Sequence, residues 1–114
     1  MELSMRAWIT VAFLVSAPAL ADDGGVAAGE ASYKGSCSVC HGKAADGQGP
    51  AGAAMNPKPT DFTDASWWAG KTDSEIKAII KNGKPMTPMN SFAHLSDAEI
   101  ANLIAFLKTK KPTE

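Results

Sequence analysis

Cys37-Ser38-Val39-Cys40-His41 constrains this chain more than any other segment. Two cysteines three positions apart, with histidine directly after them, is the spacing that attaches a haem covalently. Each thiol adds to one vinyl group of the porphyrin and forms a thioether. The neighbouring imidazole then falls beneath the iron as its proximal ligand. Rival readings fail on the supply of residues. Cys37 and Cys40 are the only cysteines in the 114-residue chain, and no H-x3-5-H pair accompanies them, so a four-ligand zinc site lacks half its donors. A thioredoxin-like dithiol would want a βαβ surround, and no strand pattern flanks the motif. A chain this short makes little apolar core of its own, and haem supplies a large apolar centre for helices to wrap.

The N-terminus reads as an export signal. Met1 to Arg6 is a short polar lead, Ala7 to Ala17 is apolar apart from Thr10 and Ser16, and Pro18-Ala19-Leu20-Ala21 is a small-x-small cleavage pattern. A membrane-spanning helix needs about 20 predominantly apolar residues, and this run is shorter and ends at a proline. Residues 1–21 are therefore expected to be a cleaved signal peptide, and residues 22–114 the single mature domain. Eleven Lys and Arg stand against twelve Asp and Glu, a formal charge of −1. That balance gives no basic stripe for nucleic acid. After cleavage, no stable membrane insertion is expected.

Helix signals run along the mature chain. Ser96 and Glu99 form an S-x-x-E capping box, with Leu95 and Ile100 placed as a hydrophobic staple around it. Ile100, Leu103, Ile104 and Leu107 then recur on one helical face, widened by Phe106. Lys108, Lys110 and Lys111 suit the negative end of the helix dipole. Thr72 and Glu75 make a second capping box for a helix burying Ile76, Ile79 and Ile80, which stops at Asn82-Gly83. Asp64 caps a short turn through Trp67 and Trp68. Val26 to Lys34 is alanine-rich and leads into the cysteine motif as a first helix. Between Gly42 and Thr63 the glycine and proline content excludes long regular structure.

In this order of parts the chain resembles the class I cytochromes c, small soluble proteins with one haem. The resemblance covers the whole mature chain: N-terminal helix, CSVCH, a Gly-Pro turn, a middle helix, a methionine loop and a C-terminal helix. It implies an all-α class I cytochrome c fold, with three main helices and short turns wrapped around one covalent haem c held by Cys37 and Cys40. It also implies that the first and last helices cross at Gly29 and Tyr33, facing Leu103 and Phe106.

The same resemblance suggests how iron is held. His41 is the proximal ligand by position. The family's acceptor for the other ring nitrogen is a proline carbonyl after a glycine-rich turn, and Gly47-Gln48-Gly49-Pro50 makes Pro50 the candidate. Met55, Met86, Met89 and His94 are the reachable sixth ligands. The family's methionine is followed three residues later by Phe and then by Leu-Ser. Met89 through Phe92, with Leu95-Ser96, reproduces this spacing, although Asn90 stands where the family usually has proline. Pro85 and Pro88 hold that strap extended. Phe62 and Phe92 read as walls of the haem pocket. Trp67 and Trp68 read chiefly as packing, with an indole N–H able to reach a haem propionate.

An iron held by histidine and methionine has no vacant position for substrate, and methionine raises the potential relative to a second histidine. The implied role is a one-electron carrier rather than an enzyme. It would be a monomer in the periplasm of a Gram-negative bacterium, docking briefly on redox partners such as a terminal oxidase, a reductase or a dehydrogenase. Two other roles suit the same fold: a cytochrome subunit of a periplasmic dehydrogenase or sulfur-oxidising complex, and a haem gas sensor.

Overall fold

The last helix sets the frame for the rest. In the computed structural model, which describes residues 23–113 together with Thr10 and Ala12, five helices follow in order. They are α1 (Val26–Ser36), α2 (Ser38–His41), α3 (Ala65–Ala69), α4 (Asp73–Asn82) and α5 (Asp97–Lys108), with a 3-10 turn at Gly52–Ala54. No strand occurs among the described residues, and the three longest helices are those expected from the sequence. Apart from Thr10 and Ala12, the expected signal peptide and its cleavage point lie outside the described residues. No helix of the described residues is long and apolar enough to cross a membrane.

Helix α5 starts where its capping box requires. Ser96 Oγ accepts from the Glu99 amide at 3.1 Å, and Glu99 Oε1 accepts from the Ser96 amide at 3.1 Å. Ile100, Leu103, Ile104, Phe106 and Leu107 are all buried, and Leu95 packs against the same core. Helix α4 differs from expectation at its start. Thr72 Oγ1 accepts from the Glu75 amide at 3.2 Å, but the exposed Glu75 side chain returns no bond to Thr72, so the box is half formed. Ile76 and Ile80 are buried one turn apart, while Ile79 lies at the edge of that face and is half-buried. Asp64 caps α3 through the Ser66 amide at 3.0 Å. Asp23, which the sequence reading did not single out, caps α1 by accepting from Gly25 and Ala27 amides at 3.0 and 2.9 Å.

Helices α4 and α5 run antiparallel, each held at both ends by acid from a first turn and lysine from nearer a last one. Asp97 meets Lys81 at 2.9 Å and Lys77 at 3.3 Å, and Lys108 meets Asp73 at 2.7 Å. These pairs are exposed, so water and salt screen them and each adds little to stability. The largest helix contact is between α1 and α5. A Cβ built on Gly29 would lie 2.0 Å from the Asn102 carbonyl oxygen and 3.0 Å from Phe106 Cβ. The crossing therefore brings Gly29 onto the backbone of Asn102 and onto Phe106. Leu103, the residue after Asn102, is buried in the core. A mid-helix glycine costs about 1 kcal/mol against alanine, which this backbone approach offsets. One turn later Tyr33, only 1 % exposed, packs its ring 5.1 Å from that of Phe106.

Candidate haem-binding cleft

Three segments wall a cleft: residues 36–41 at the end of α1 and through α2, residues 55–60, and residues 84–92. The first of them continues from α1. The Cys37 amide donates to Tyr33 O at 2.9 Å, and His41 donates back to Cys37 O at 3.0 Å, so the motif closes into the single turn of α2. Residues three apart on such a turn share a face, and Cys37 and Cys40 both line the cleft as free, half-buried thiols. The turn's carbonyls have no helical partners left. The glycine-rich loop supplies them: Ala51, Gly49 and Gly47 amides donate to Val39, Cys40 and His41 carbonyls at 2.9, 3.1 and 2.7 Å. This close wrap needs glycine, because a Cβ on Gly52 would stand 2.2 Å from Cys40 O and 2.8 Å from Pro59 Cγ. On the other side, the buried Tyr33 hydroxyl donates to Gly42 O, tying the helix crossing to the residue after His41. Burial pushes the Tyr33 phenol well above its ordinary range, so it stays a donor.

His41 departs from expectation in its partner. Its Nδ1 lies 3.1 Å from Thr60 O, so the acceptor is Thr60 and the assignment to Pro50 is corrected. The reason is the loop's own hydrogen bonding. Gly47, Gly49 and Ala51 face the motif's backbone with their amides, which leaves Pro50 exposed between them, and the following Pro57–Thr60 segment reaches the imidazole. A carbonyl only accepts, so Nδ1 carries the hydrogen and Nε2 keeps its lone pair. Burial lowers the pKa of His41, an effect the bond to Thr60 opposes, and the ring is kept neutral. Burial, with a smaller contribution from Cys40, pushes the Cys37 thiol up to about 11.

Phe62 also moves from its expected place. It is not a cleft wall but a buttress, its ring 4.8 Å from the imidazole centroid and 5.2 Å from Trp67. Trp68 Nε1 donates to Phe62 O at 2.8 Å, so this indole is used in packing. Phe92 does line the cleft.

The strap after α4 presents the methionines unequally. Thr87 Oγ1 donates to Lys84 O at 2.7 Å and accepts from the Met89 amide at 3.2 Å. Ser91 Oγ donates to Lys81 O at 2.8 Å and the Phe92 amide to Ile80 O at 3.0 Å, which pins the strap to the end of α4. Met89 is half-buried against the core and lines the cleft. Met86 is 96 % exposed on a left-handed backbone (φ 66°) and does not line it, nor does exposed His94. Met55 lines the cleft as well, from the end of the 3-10 turn.

The residues present suit a covalently attached haem. The cleft holds about 930 Å³ of space including its open mouth, and its walls are chiefly apolar, among them Val39, Pro57, Pro59, Pro88 and Phe92. Two thiols, one neutral imidazole and thioether sulfur open onto it, which is the donor set for thioether attachment and axial ligation. Among the described residues, no three His, Cys, Asp or Glu side chains converge to hold a bare metal ion. Thr60, Lys58 and Lys84 are site residues that the sequence reading missed, whereas Met55 was among its candidate ligands. Pro57-Lys58-Pro59 was the available signal, since prolines flanking a lysine stiffen the stretch that delivers Thr60.

No curated protein matches this chain. Among solved structures, a chain of the Kuenenia stuttgartiensis reducing HAO-like protein complex is similar, with 28% sequence identity and a TM-score of 0.64. The likeness covers 73% of the present chain and 41% of that one, so the present chain spans about two fifths of the length of that relative. The family model for cytochrome c matches residues 26–111, and this chain belongs to the cytochrome c family.

Proposed function

We propose that the chain is a one-electron carrier that would hold one haem c through thioethers to Cys37 and Cys40, with His41 and Met89 as the residues that would bind its iron. Family membership implies covalent haem c and haem-based electron transfer. The observation that carries the finer reading is that Met89 shares the cleft with both thiols and His41, while Met86 stands in solvent. Haem, when bound, supplies an iron that alternates between ferric and ferrous states. The chain's residues prepare that exchange without proton chemistry. Thr60 fixes the His41 tautomer so that Nε2 is the donor. The hydrogen bonds of Thr87 and Ser91 restrain the Met89 strap before ligation, which lowers the freedom lost when a weak thioether bond forms. Phe92 and the prolines give the donor set apolar walls.

The partners in this reading are redox proteins that dock briefly, and the site of action is the periplasm after removal of residues 1–21. The likeness to a chain of a multi-component HAO-like complex favours a second reading, a cytochrome subunit serving one enzyme. Mass spectrometry of the purified, denatured protein after acidified organic extraction tests the proposal. Residues 22–114 plus one haem is the expected mass. A mass without haem, or with a disulfide or zinc in its place, contradicts it. Size-exclusion chromatography of the native protein from its source separates the two roles: a monomer supports the free carrier, and co-elution with a large catalytic chain supports the subunit.

A further inference from the structure

We infer that Lys58 and Lys84 are the counter-ions of the haem propionates, orienting the cofactor and raising its potential. This rests on the reading of the cleft as a haem site and extends it to residues with no role so far. Both lysines line the cleft, and no Asp, Glu, Arg or other Lys side chain does. They come from the two walls that lack the cysteines, one from residues 55–60 and one from residues 84–92. Haem chemistry makes that placement meaningful. The vinyl groups that become thioethers lie on one side of the porphyrin and the two propionates on the other. A porphyrin anchored at Cys37 and Cys40 therefore directs its carboxylates away from α2 and toward the other walls.

The remaining lysines sharpen the assignment. Lys34, Lys77, Lys81 and Lys108 are engaged in ion pairs, Lys110 lies 5.2 Å over the Phe106 ring, and Lys43, Lys71 and Lys111, though without ion pairs among the described residues, do not line the cleft. Lys58 and Lys84 have no ion-pair partner among the described residues, and no carboxylate lines the cleft. Past Arg6 the chain has no arginine, so lysine is its only permanent cation. Two unpaired ammonium groups on an apolar cleft match a dianionic edge, each flexible stem letting the charge stay partly in water. A cation near the propionates offsets their negative charge and so favours ferrous over ferric iron.

The test uses the haem-loaded protein at fixed pH and ionic strength. Lys58→Gln and Lys84→Gln should each lower the midpoint potential, and Lys58→Glu should lower it by about twice as much as Lys58→Gln. Lys58→Arg and Lys84→Arg should restore it. Lys43→Gln, an unpaired lysine outside the cleft, should leave it unchanged. Proton NMR of the ferric protein localises the effect: the propionate methylene signals should move while the axial methionine methyl signal stays. An unchanged potential and unchanged methylene signals in the double Gln variant overturn the inference, as does an equal shift from Lys43→Gln. Failure of the underlying haem reading looks different, since wild type itself would then carry no attached pigment.

Discussion

The α1–α5 crossing and the cleft meet at Tyr33 but are completed in different ways. The crossing is closed by the chain's own atoms. Gly29 rests on the Asn102 carbonyl, Tyr33 on Phe106, and Ile100 and Leu103 are at most 1 % exposed. The cleft is walled by loops ordered through hydrogen bonds, residues 47–51 bonding to the Val39, Cys40 and His41 carbonyls and the methionine strap to the Lys81 and Ile80 carbonyls of α4. One half of the molecule is thus specified by side-chain packing, and the other by hydrogen-bonded loops that carry a donor set suited to haem. A small domain divided in this way needs its cofactor as core.

The comparison breaks most visibly when attachment is prevented. Cys37→Ala with Cys40→Ala should lower stability by roughly 4 kcal/mol or more, the scale of losing a ligand bound far above its dissociation constant. Hydrogen exchange should show amides of residues 42–60 and 84–92 losing protection before those of α5. Equal loss everywhere would mean that the two halves form one cooperative unit. Next in size is the crossing itself. Gly29→Leu should cost about 3 kcal/mol by chemical denaturation, because the new side chain meets backbone rather than a movable side chain. A neutral result would show that the helices do not approach there.

Tyr33→Phe probes the link between the halves. It removes one donor to Gly42 O, which retains the Ala45 amide at 3.0 Å, so the expected cost is about 1 kcal/mol. A shift in the low-spin spectrum of the haem-loaded variant would show that the link reaches His41. The smallest effect belongs to Asp97, whose carboxyl is held below its ordinary range by hydrogen bonds from Lys81 and then Lys77. A depressed folded-state pKa contributes stability above the unfolded value, and that contribution is lost as pH falls through the folded one. Asp97→Asn should therefore lower neutral-pH stability slightly and flatten the acid limb below about pH 4 by the same small amount, so that wild type and variant converge at low pH in urea unfolding.

These two halves were not equally legible in the sequence. Helix α5 could be read from Ser96 to Lys108, because its cap and its 3.6-residue period are local signals. Gly29 was legible as a crossing point, though its exact partner, the Asn102 carbonyl, is a backbone atom that no side-chain pattern announces. In the cleft, the cysteines and His41 are adjacent in the chain and declare themselves. The ring's partner is nineteen residues away, and Thr60 offers only a main-chain carbonyl, which any residue type could supply. The glycine-proline turn at Pro50 was a plausible local substitute, but its amides are spent on Val39, Cys40 and His41 carbonyls. The two strap methionines were distinguishable only by spacing, and Met55 entered the cleft through a loop path that periodicity does not describe.

The central claim is that Met89, and no other methionine, completes the iron's ligand set opposite His41. The weak near-infrared band of ferric haem bound to thioether sulfur, recorded for wild type, Met89→Ala, Met86→Ala and Met55→Ala, tests it most directly. The account predicts the band in wild type and in the Met86 and Met55 variants, and its loss in Met89→Ala together with a lower potential. A band that survives in Met89→Ala and disappears with either of the other two, or one absent from wild type, would contradict it.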